Sequence, residues 1–577
     1  MDFQQRVFKR FETLYGAERA PELVEKLEEL LSRYDYTPEG NPENPKKWTH
    51  EDSMLITYGD MILSDGNGES TLHILQQFLE KYIGDTISSV HVLPFFPSTS
   101  DEGFSVIDYK QVRDDIGEWQ DIRSLSQDYQ LMADLVINHT SRFSEWFKNF
   151  EKGISPGKDY FIEVDPSSDL SEVTRPRSSP LLTAVNTSDG LKFVWTTFSE
   201  DQVDLDFSNP QVLFEFIDIF LFYISQGISV VRLDAVAYLW KQIGTSSIHL
   251  DETHQVVKLF RDIVDHAAPH VTLITETNVP FRENISYFGE GDETHMIYQF
   301  SLPPLLLHAI LTENAHYLTK WARDLPDPPG RGTYFNFTAS HDGIGVRPIE
   351  GIVPDEELQY LVEAVKKRGG FISYKQNRDG TQSPYELNIT YYDAFEDPGQ
   401  PDTPLQMKRF ICSQILMLSL KGVPGIYFQN LVAGKNNIEG VLETGHKRSI
   451  NRRRWRLGEL EKRLEDPGHA AHEVLNRYRQ LLNIRRQHPA FHPEGAQKVY
   501  DIREELFVMQ RISPDENERI LVIGNVTREE VSVDTGQIGQ LGRAGEEGFE
   551  DLLDPQRSVD GDTIVLAPFE TVWLLVK

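Results

Sequence analysis

The stretch Ile228-Ser229-Val230-Val231-Arg232-Leu233-Asp234 decides the fold: an apolar run that ends in an arginine and an aspartate. Such a run is typical of a strand buried in a parallel sheet. Residues two apart on a strand share a face, so Arg232 lies beside Asp234 and favours its ionised form. Charged groups at the carboxyl end of a barrel strand point into the site. A buried ion pair between these two residues is the structural alternative.

Two later stretches have the same form. Leu273-Ile274-Thr275-Glu276-Thr277-Asn278 brings a glutamate to the end of the next run, and Asn336-Phe337-Thr338-Ala339-Ser340-His341-Asp342-Gly343 brings a histidine and an aspartate two runs later. Taken singly, Glu276 could cap a helix or face solvent, and a His-Asp pair is common on protein surfaces. Taken together, the three carboxylates predict one pocket at the carboxyl ends of neighbouring strands.

Eight short apolar runs are spread along the chain, and several are separated by amphipathic helical stretches. This alternation predicts an α/β fold, a (β/α)8 TIM barrel. The predicted strands cover residues 54–58, 90–93, 131–137, 228–233, 271–274, 296–300, 334–337 and 423–428.

The spacing of these runs predicts the domain organisation. We expect a helical N-terminal extension at 1–50, a catalytic barrel at 51–494 and a C-terminal antiparallel β-sandwich at 495–577. The chain segments after the third strand and after the seventh strand are longer than a helical crossover between parallel strands needs. They predict an inserted subdomain at about 143–199, after the third strand, and a long loop at about 343–404.

Composition limits the function classes. The 577 residues include 57 Lys and Arg against 90 Asp and Glu, a formal charge of −33, which excludes nucleic-acid and membrane-surface partners. The single cysteine, Cys412, excludes a disulfide framework and a cysteine metal site. No run reaches ~18 apolar residues and the start lacks an apolar signal core, so we expect a cytoplasmic protein.

Paired carboxylates at strand ends indicate glycoside chemistry. Cleavage with retention needs a nucleophilic carboxylate and a carboxylic acid about 5–5.5 Å apart, and a third carboxylate can bind sugar hydroxyls. The third run ends in His139, and Phe95 and Phe96 follow the second run. The Phe pair is interpreted as an aromatic wall of the site, with core packing as the alternative.

These residues resemble the α-amylase superfamily, glycoside hydrolase family 13, over about 54–577. The four ordered motifs of that family are matched by 134–139, 232–235, Glu276 and 341–342. The resemblance implies Asp234 as nucleophile, Glu276 as general acid/base and Asp342 as transition-state stabiliser. Many members bind calcium near the position of Asn138, but no Asp-rich loop is found and we expect no metal.

Further stretches resemble the sucrose phosphorylase subfamily, among them Arg175-Pro176-Arg177 and Ile450-Asn451-Arg452. This implies that a small α-glucoside is cleaved with inorganic phosphate, without another cofactor, through a glucosyl-enzyme to α-glucose 1-phosphate. The substrate-binding residues implied by the resemblance are Asp101, Phe104, His139, Arg232, His341 and Arg452.

Departures from sucrose phosphorylases lie in the N-terminal extension and in the loops 277–284 and 380–388. They look more like the glucosylglycerate and glucosylglycerol phosphorylases of the subfamily. The alternatives are a sucrose or sucrose 6′-phosphate phosphorylase, or an α-glucosidase or transglucosidase of the same family. A sugar-binding protein on an inactive barrel is a rival class, and the intact trio of carboxylates argues against it.

Phosphate must approach a site that holds three carboxylates, so nearby cations are required. We predict that Arg177, and with it Arg175, contacts phosphate and that Tyr385 donates a hydroxyl; packing of the two arginines on acids of the insertion is the alternative. Arg347 and Lys375 are unassigned cations, one of which could bind a substrate carboxylate. The expected partners are a small α-glucoside and phosphate, and a homodimer is compatible with the sequence.

Overall fold

A closed barrel of eight parallel strands forms the centre of the protein. The structure is a computed structural model that describes residues 1–34, 47–66, 68–377, 380–401, 403–534, 536, 548–557 and 563–577. The barrel confirms the predicted fold. Its strands are, in chain order, Met54–Thr57, Ser89–Val92, Gln130–Val136, Ile228–Asp234, Thr272–Thr275, Met296–Tyr298, Thr333–Phe337 and Val423–Tyr427.

Helices cover the outside of the barrel and explain why its strands are apolar along their whole length. Nearly every strand residue is buried, because one face packs into the barrel and the other under the helices. The principal helices between and after the strands are Thr71–Phe78, Trp119–Asp128, Pro210–Ser225, Asp251–Ala267, Leu302–Thr312, His316–Arg323, Pro404–Ser419, Leu457–Glu465 and Ala470–Arg485.

Two excursions rise from the carboxyl ends of the strands. The one after the third strand contains helix Glu145–Lys152 and the hairpin Leu182–Thr187 with Gly190–Trp195. It has a small core of its own, in which Trp195 is 1% exposed. The one after the seventh strand contains helix Asp355–Lys367 and a sheet of three strands, Ile344–Gly345, Phe371–Gln376 and Gln382–Asn388. Both excursions lie on the side of the barrel where the strands end.

Antiparallel sheets follow the barrel at the C-terminus. A five-stranded sheet and a pair of strands enclose an apolar cluster that includes Val508, Leu521 and Leu574. The sheet consists of Ala496–Tyr500, Leu506–Ile512, Arg519–Asn525, Thr571–Val576 and Phe549–Asp551, and the pair of Val531–Asp534 and Thr563–Leu566.

Two N-terminal helices, α1 (Phe3–Tyr15) and α2 (Ala20–Arg33), pack against the outside of the barrel. Asp2 caps α1 by accepting from the N–H of Gln5. The rest of the predicted extension, 35–46, lies outside the described residues. No helix in the described part of the chain has the length and apolar character that crossing a bilayer requires.

Candidate active site

Three carboxylates meet at the carboxyl end of the barrel. Asp234 ends the fourth strand, Glu276 follows the fifth strand directly, and Asp342 lies in the turn after the seventh. All three line one cavity, here called the reaction cavity. Thr275 pairs with Leu233 in the barrel, so Asp234 and Glu276 occupy adjacent positions on neighbouring strands. Neighbouring strands are about 4.8 Å apart, which suits the close pair of carboxyl groups that retention requires.

The backbone after the fourth strand turns sharply and orients the acid. Ala235 has a φ of 50°, in the left-handed region that residues with a Cβ rarely adopt. Its N–H donates to Glu276 Oε2 at 3.1 Å. This strained position therefore holds the Glu276 carboxyl beside the end of the fourth strand.

Arg232 forms ion pairs with two aspartates, Asp234 and Asp134. Its Nη1 lies 2.6 Å from Asp234 Oδ1 and also contacts Asp134, which accepts at 2.7 Å from His91 Nε2 when that nitrogen carries the proton. The guanidinium is 3% exposed. The predicted pair of Arg232 and Asp234 is therefore present, but its positive charge is shared with a second carboxylate.

The three carboxyl groups have different proton affinities. Burial raises the pKa of Asp234 in spite of Arg232, and burial likewise raises the pKa of Glu276. Burial acts in the same direction on Asp342, but Arg448 and other neighbouring cations hold its pKa below the ordinary value. Asp342 therefore stays charged, whereas Asp234 and Glu276 together can hold a proton.

An aromatic and a carboxylate form the next part of the cavity wall. The ring of Phe104 stacks on that of His341 with 4.8 Å between centroids and an angle of 7°. Asp101 also lines the cavity and has a φ of 50°. The turn continues at Gly103, with a φ of 111°, where a Cβ would lie 2.6 Å from Pro94 O. Only glycine fits there, so this turn fixes the position of Asp101 and Phe104.

The remaining predicted sugar-binding residues lie nearby. His139 lines the cavity and its Nε2 is 2.8 Å from Phe104 O. Arg452 lies behind the wall: its Nε donates to His341 O at 2.7 Å, and its Nη1 is 3.8 Å from Asp101. Phe95 and Phe96 instead belong to the core, 1% and 0% exposed, as in the alternative interpretation.

The predicted phosphate and acceptor residues separate into two groups. Arg177 and Tyr385 line the reaction cavity, and the Arg177 guanidinium lies 5.3 Å from the Tyr385 ring centroid and 5.9 Å from that of Phe198. Arg175 does not line this cavity. It donates to Ser179 O and faces a second cavity together with Arg347 and Lys375.

Arg448 and Glu386 line the cavity and were not among the predicted site residues. Arg448 Nη1 lies 2.6 Å from Asp342 Oδ1, and its Nε donates to Glu386 Oε2 at 3.0 Å. Neither residue lies in a barrel strand, so strand-end motifs gave no signal for them. The sequence offered two hints: Glu386 lies in the loop 380–388 that departs from sucrose phosphorylases, and Arg448 stands four positions before Arg452.

A lysine ammonium lies beside Asn138. Lys241 Nζ is 2.6 Å from Asn138 Oδ1 and 2.7 Å from Asp204 Oδ2, and its side chain is 2% exposed. The buried positive charge therefore joins the end of the third strand, the insertion and the loop after the fourth strand. Within the described ranges, no group of three or more potential ligands is arranged to hold a metal ion.

The chain is similar to known proteins over nearly its whole length. Residues 64–323 match the family model described as alpha amylase, catalytic domain. The chain is 46% identical over 571 residues to the glucosylglycerate phosphorylase of Spirochaeta thermophila, covering 97% of both proteins. It is 40% identical over 574 residues to that of Escherichia coli, covering 99% of this chain and 100% of the relative. The crystal structure of sucrose 6F-phosphate phosphorylase from Thermoanaerobacter thermosaccharolyticum superposes with a TM-score of 0.72 at 26% identity, over 84% of this chain and 96% of that one.

Proposed function

The chain belongs to the α-amylase family, and from this we propose that it is a retaining α-glucoside phosphorylase that acts on glucosylglycerate. It transfers the glucosyl group to inorganic phosphate and yields α-glucose 1-phosphate and glycerate. The observation that carries the proposal is the similarity to proteins named glucosylglycerate phosphorylase along almost the entire chain. The reaction cavity with its three carboxylates supports it. Phosphate is the co-substrate, and no further cofactor is needed.

In the first half-reaction, Asp234 attacks the anomeric carbon while Glu276 donates its proton to the departing oxygen. The C–O bond to glycerate breaks as the bond to the Asp234 carboxylate forms, so the product is a covalent glucosyl-enzyme. Asp342, kept ionised by Arg448, accepts hydrogen bonds from sugar hydroxyls that strengthen as positive charge develops on the ring.

In the second half-reaction, a phosphate oxygen attacks the same carbon from the face that glycerate has left, and the bond between this carbon and Asp234 breaks, which frees the Asp234 carboxylate. The Glu276 carboxylate takes the proton of a monoprotonated phosphate and returns to its starting state. Arg177 faces this cavity and, in the described part of the chain, no carboxylate lies within ion-pair distance of it. Its guanidinium is therefore available to offset the repulsion between phosphate and the carboxylates.

The same machinery would serve a sucrose or glucosylglycerol phosphorylase, and the aglycone distinguishes them. A phosphate-ester product and the single cysteine favour a cytoplasmic location, and a homodimer remains a prediction.

The test is the release of phosphate from α-glucose 1-phosphate by the purified protein in the presence of glycerate, glycerol, fructose or fructose 6-phosphate. We expect the fastest release with glycerate, together with formation of glucosylglycerate. The Asp234→Asn protein is the control and should release none. Faster release with fructose would assign the protein to the sucrose phosphorylases. Hydrolysis of neutral α-glucosides without any dependence on phosphate would contradict the phosphorylase assignment.

A further inference from the structure

A second cavity, here called the cationic chamber, opens beside the reaction cavity. It has a volume of about 400 Å³ and lies between the insertion and the excursion after the seventh strand. Arg175, Arg347 and Lys375 line it, and no acidic side chain is among its described lining residues. In a chain with a formal charge of −33, this is a marked local excess of positive charge.

Arg347 differs from the other two cations because it is buried without an ionic partner. It is 8% exposed, and its Nε is buried and has no hydrogen-bond partner. Lys375, by contrast, lies 2.8 Å from Glu350. In the described part of the chain no carboxylate lies within ion-pair distance of Arg347. Glu350 and Glu283 act on Arg347 only from beyond ion-pair distance, so the buried guanidinium can still form direct hydrogen bonds with a ligand that carries a negative charge.

The position of Arg347 connects the chamber to the reaction cavity. Arg347 directly follows Val346, whose N–H donates to Tyr385 O at 3.0 Å. The charge of Arg347 acts on Tyr238 and Tyr385, both of which line the reaction cavity. Tyr238 also feels the charge of Glu276. The leaving group departs beside Glu276, because that residue protonates it, so Arg347 lies on the side of the cavity where the aglycone is held.

We propose that Arg347 binds the carboxylate of the aglycone, so that it selects glycerate over neutral polyols; this rests on the function proposed above. The planar guanidinium can form two parallel hydrogen bonds with a carboxylate. Phosphate must reach the anomeric carbon itself, so its cation has to line the reaction cavity, as Arg177 does. The aglycone carboxylate does not react and can be held from the neighbouring chamber.

The experiment compares glycerate and glycerol as acceptors with α-glucose 1-phosphate as the common donor. Both acceptors react with the same glucosyl-enzyme, so the ratio of their kcat/KM values depends only on recognition of the acceptor. We expect Arg347→Met to lower the ratio of glycerate to glycerol on the order of 100-fold, with the value for glycerol little changed. Arg347→Lys should keep part of the preference for glycerate, because lysine keeps the positive charge but cannot form the two parallel hydrogen bonds of a guanidinium.

The control is Lys366→Met, which removes an exposed charge that pairs with Glu363 on the helix Asp355–Lys367 and should leave the ratio unchanged. An unchanged ratio in Arg347→Met would overturn the proposal. A lower kcat/KM for α-glucose 1-phosphate at a constant ratio would do the same, because Arg347 would then hold phosphate. If Arg347→Met is inactive with glycerol as well, the ratio measured for Arg347→Lys decides. Failure of the proposed function can be distinguished from failure of the role of Arg347, because in the first case the unsubstituted protein itself would not prefer glycerate.

Discussion

Asp234 and Glu276 share one guanidinium but at different distances. Arg232 lies 2.6 Å from Asp234 and 4.0 Å from Glu276. Because burial raises the pKa of both carboxyl groups, the pair retains a proton more readily than two exposed acids would. The closer cation favours charge on Asp234, so we place the proton on Glu276. This arrangement gives an ionised nucleophile and a protonated acid before the reaction begins.

The first prediction concerns the proton on Glu276. In the direction of phosphorolysis, kcat/KM should fall at alkaline pH as Glu276 loses this proton, and its raised pKa moves the fall above the range of an ordinary glutamate. Glu276→Gln should abolish this alkaline limb and lower kcat for glucosylglycerate by about 10³-fold. With α-glucosyl fluoride, whose leaving group needs no proton, the loss should be much smaller. Equal losses with both donors would contradict the role of acid.

The second prediction concerns Arg448. Its guanidinium offsets the effect of burial and holds the pKa of Asp342 below the ordinary value. Arg448→Met removes this cation, so the pKa of Asp342 rises and the ionised form is lost at a higher pH. We expect the acid limb of kcat/KM to move to higher pH and the value at pH 7 to fall about 10²-fold.

Arg448→Lys is the matched variant, because an ammonium restores charge without the second contact to Glu386. Its acid limb should lie between those of the unsubstituted protein and Arg448→Met. An acid limb that does not move in either variant would mean that Arg448 does not control the protonation of Asp342.

At the scale of elements, the barrel could be predicted because its strands are short and apolar and several of them are separated by amphipathic helices. Asp234 ends one of these strands and Glu276 directly follows the next, which pointed to a shared pocket, and the resemblance to α-amylases supplied their roles. Glu386 lies in the strand Gln382–Asn388 of the excursion after the seventh strand and Arg448 in a short helical turn after the eighth, and only tertiary packing brings them to the cavity. Arg175 and Arg177 are two positions apart in sequence, yet they face different cavities. Only the backbone path between them decides this.

The third prediction concerns the helix α1. Phe11 is 0% exposed and its ring lies 5.9 Å from that of Phe214 on a barrel helix. Phe11→Ala should lower the free energy of unfolding by about 3 kcal/mol, because it leaves a cavity under the helix. Urea unfolding followed by fluorescence measures this. Glu12→Ala, at the exposed neighbouring position, is the control and should change stability by less than about 0.5 kcal/mol. Similar values for both variants would mean that α1 contributes little to the stability of the barrel.

At the scale of the whole molecule, net charge opposes the co-substrate. The formal charge of −33 repels a phosphate dianion far from the site, where the few cations of the site are outweighed by the acidic residues of the rest of the molecule. Arg177, Arg347 and Arg448 act only within about 10 Å of their positions at moderate ionic strength. The net charge of the molecule therefore opposes the approach of phosphate, whereas the arginines of the site favour its binding.

The fourth prediction follows from this opposition. If the total charge limits approach, kcat/KM for phosphate should rise roughly twofold or more when ionic strength increases from about 10 mM to about 150 mM, because salt screens the repulsion. The salt should carry a bulky organic anion that cannot enter the reaction cavity and compete with phosphate. Glycerol, as a neutral acceptor for the same glucosyl-enzyme, is the control and should be insensitive to salt. A fall of kcat/KM for phosphate with salt would mean that the arginines of the site attract phosphate more strongly than the rest of the molecule repels it.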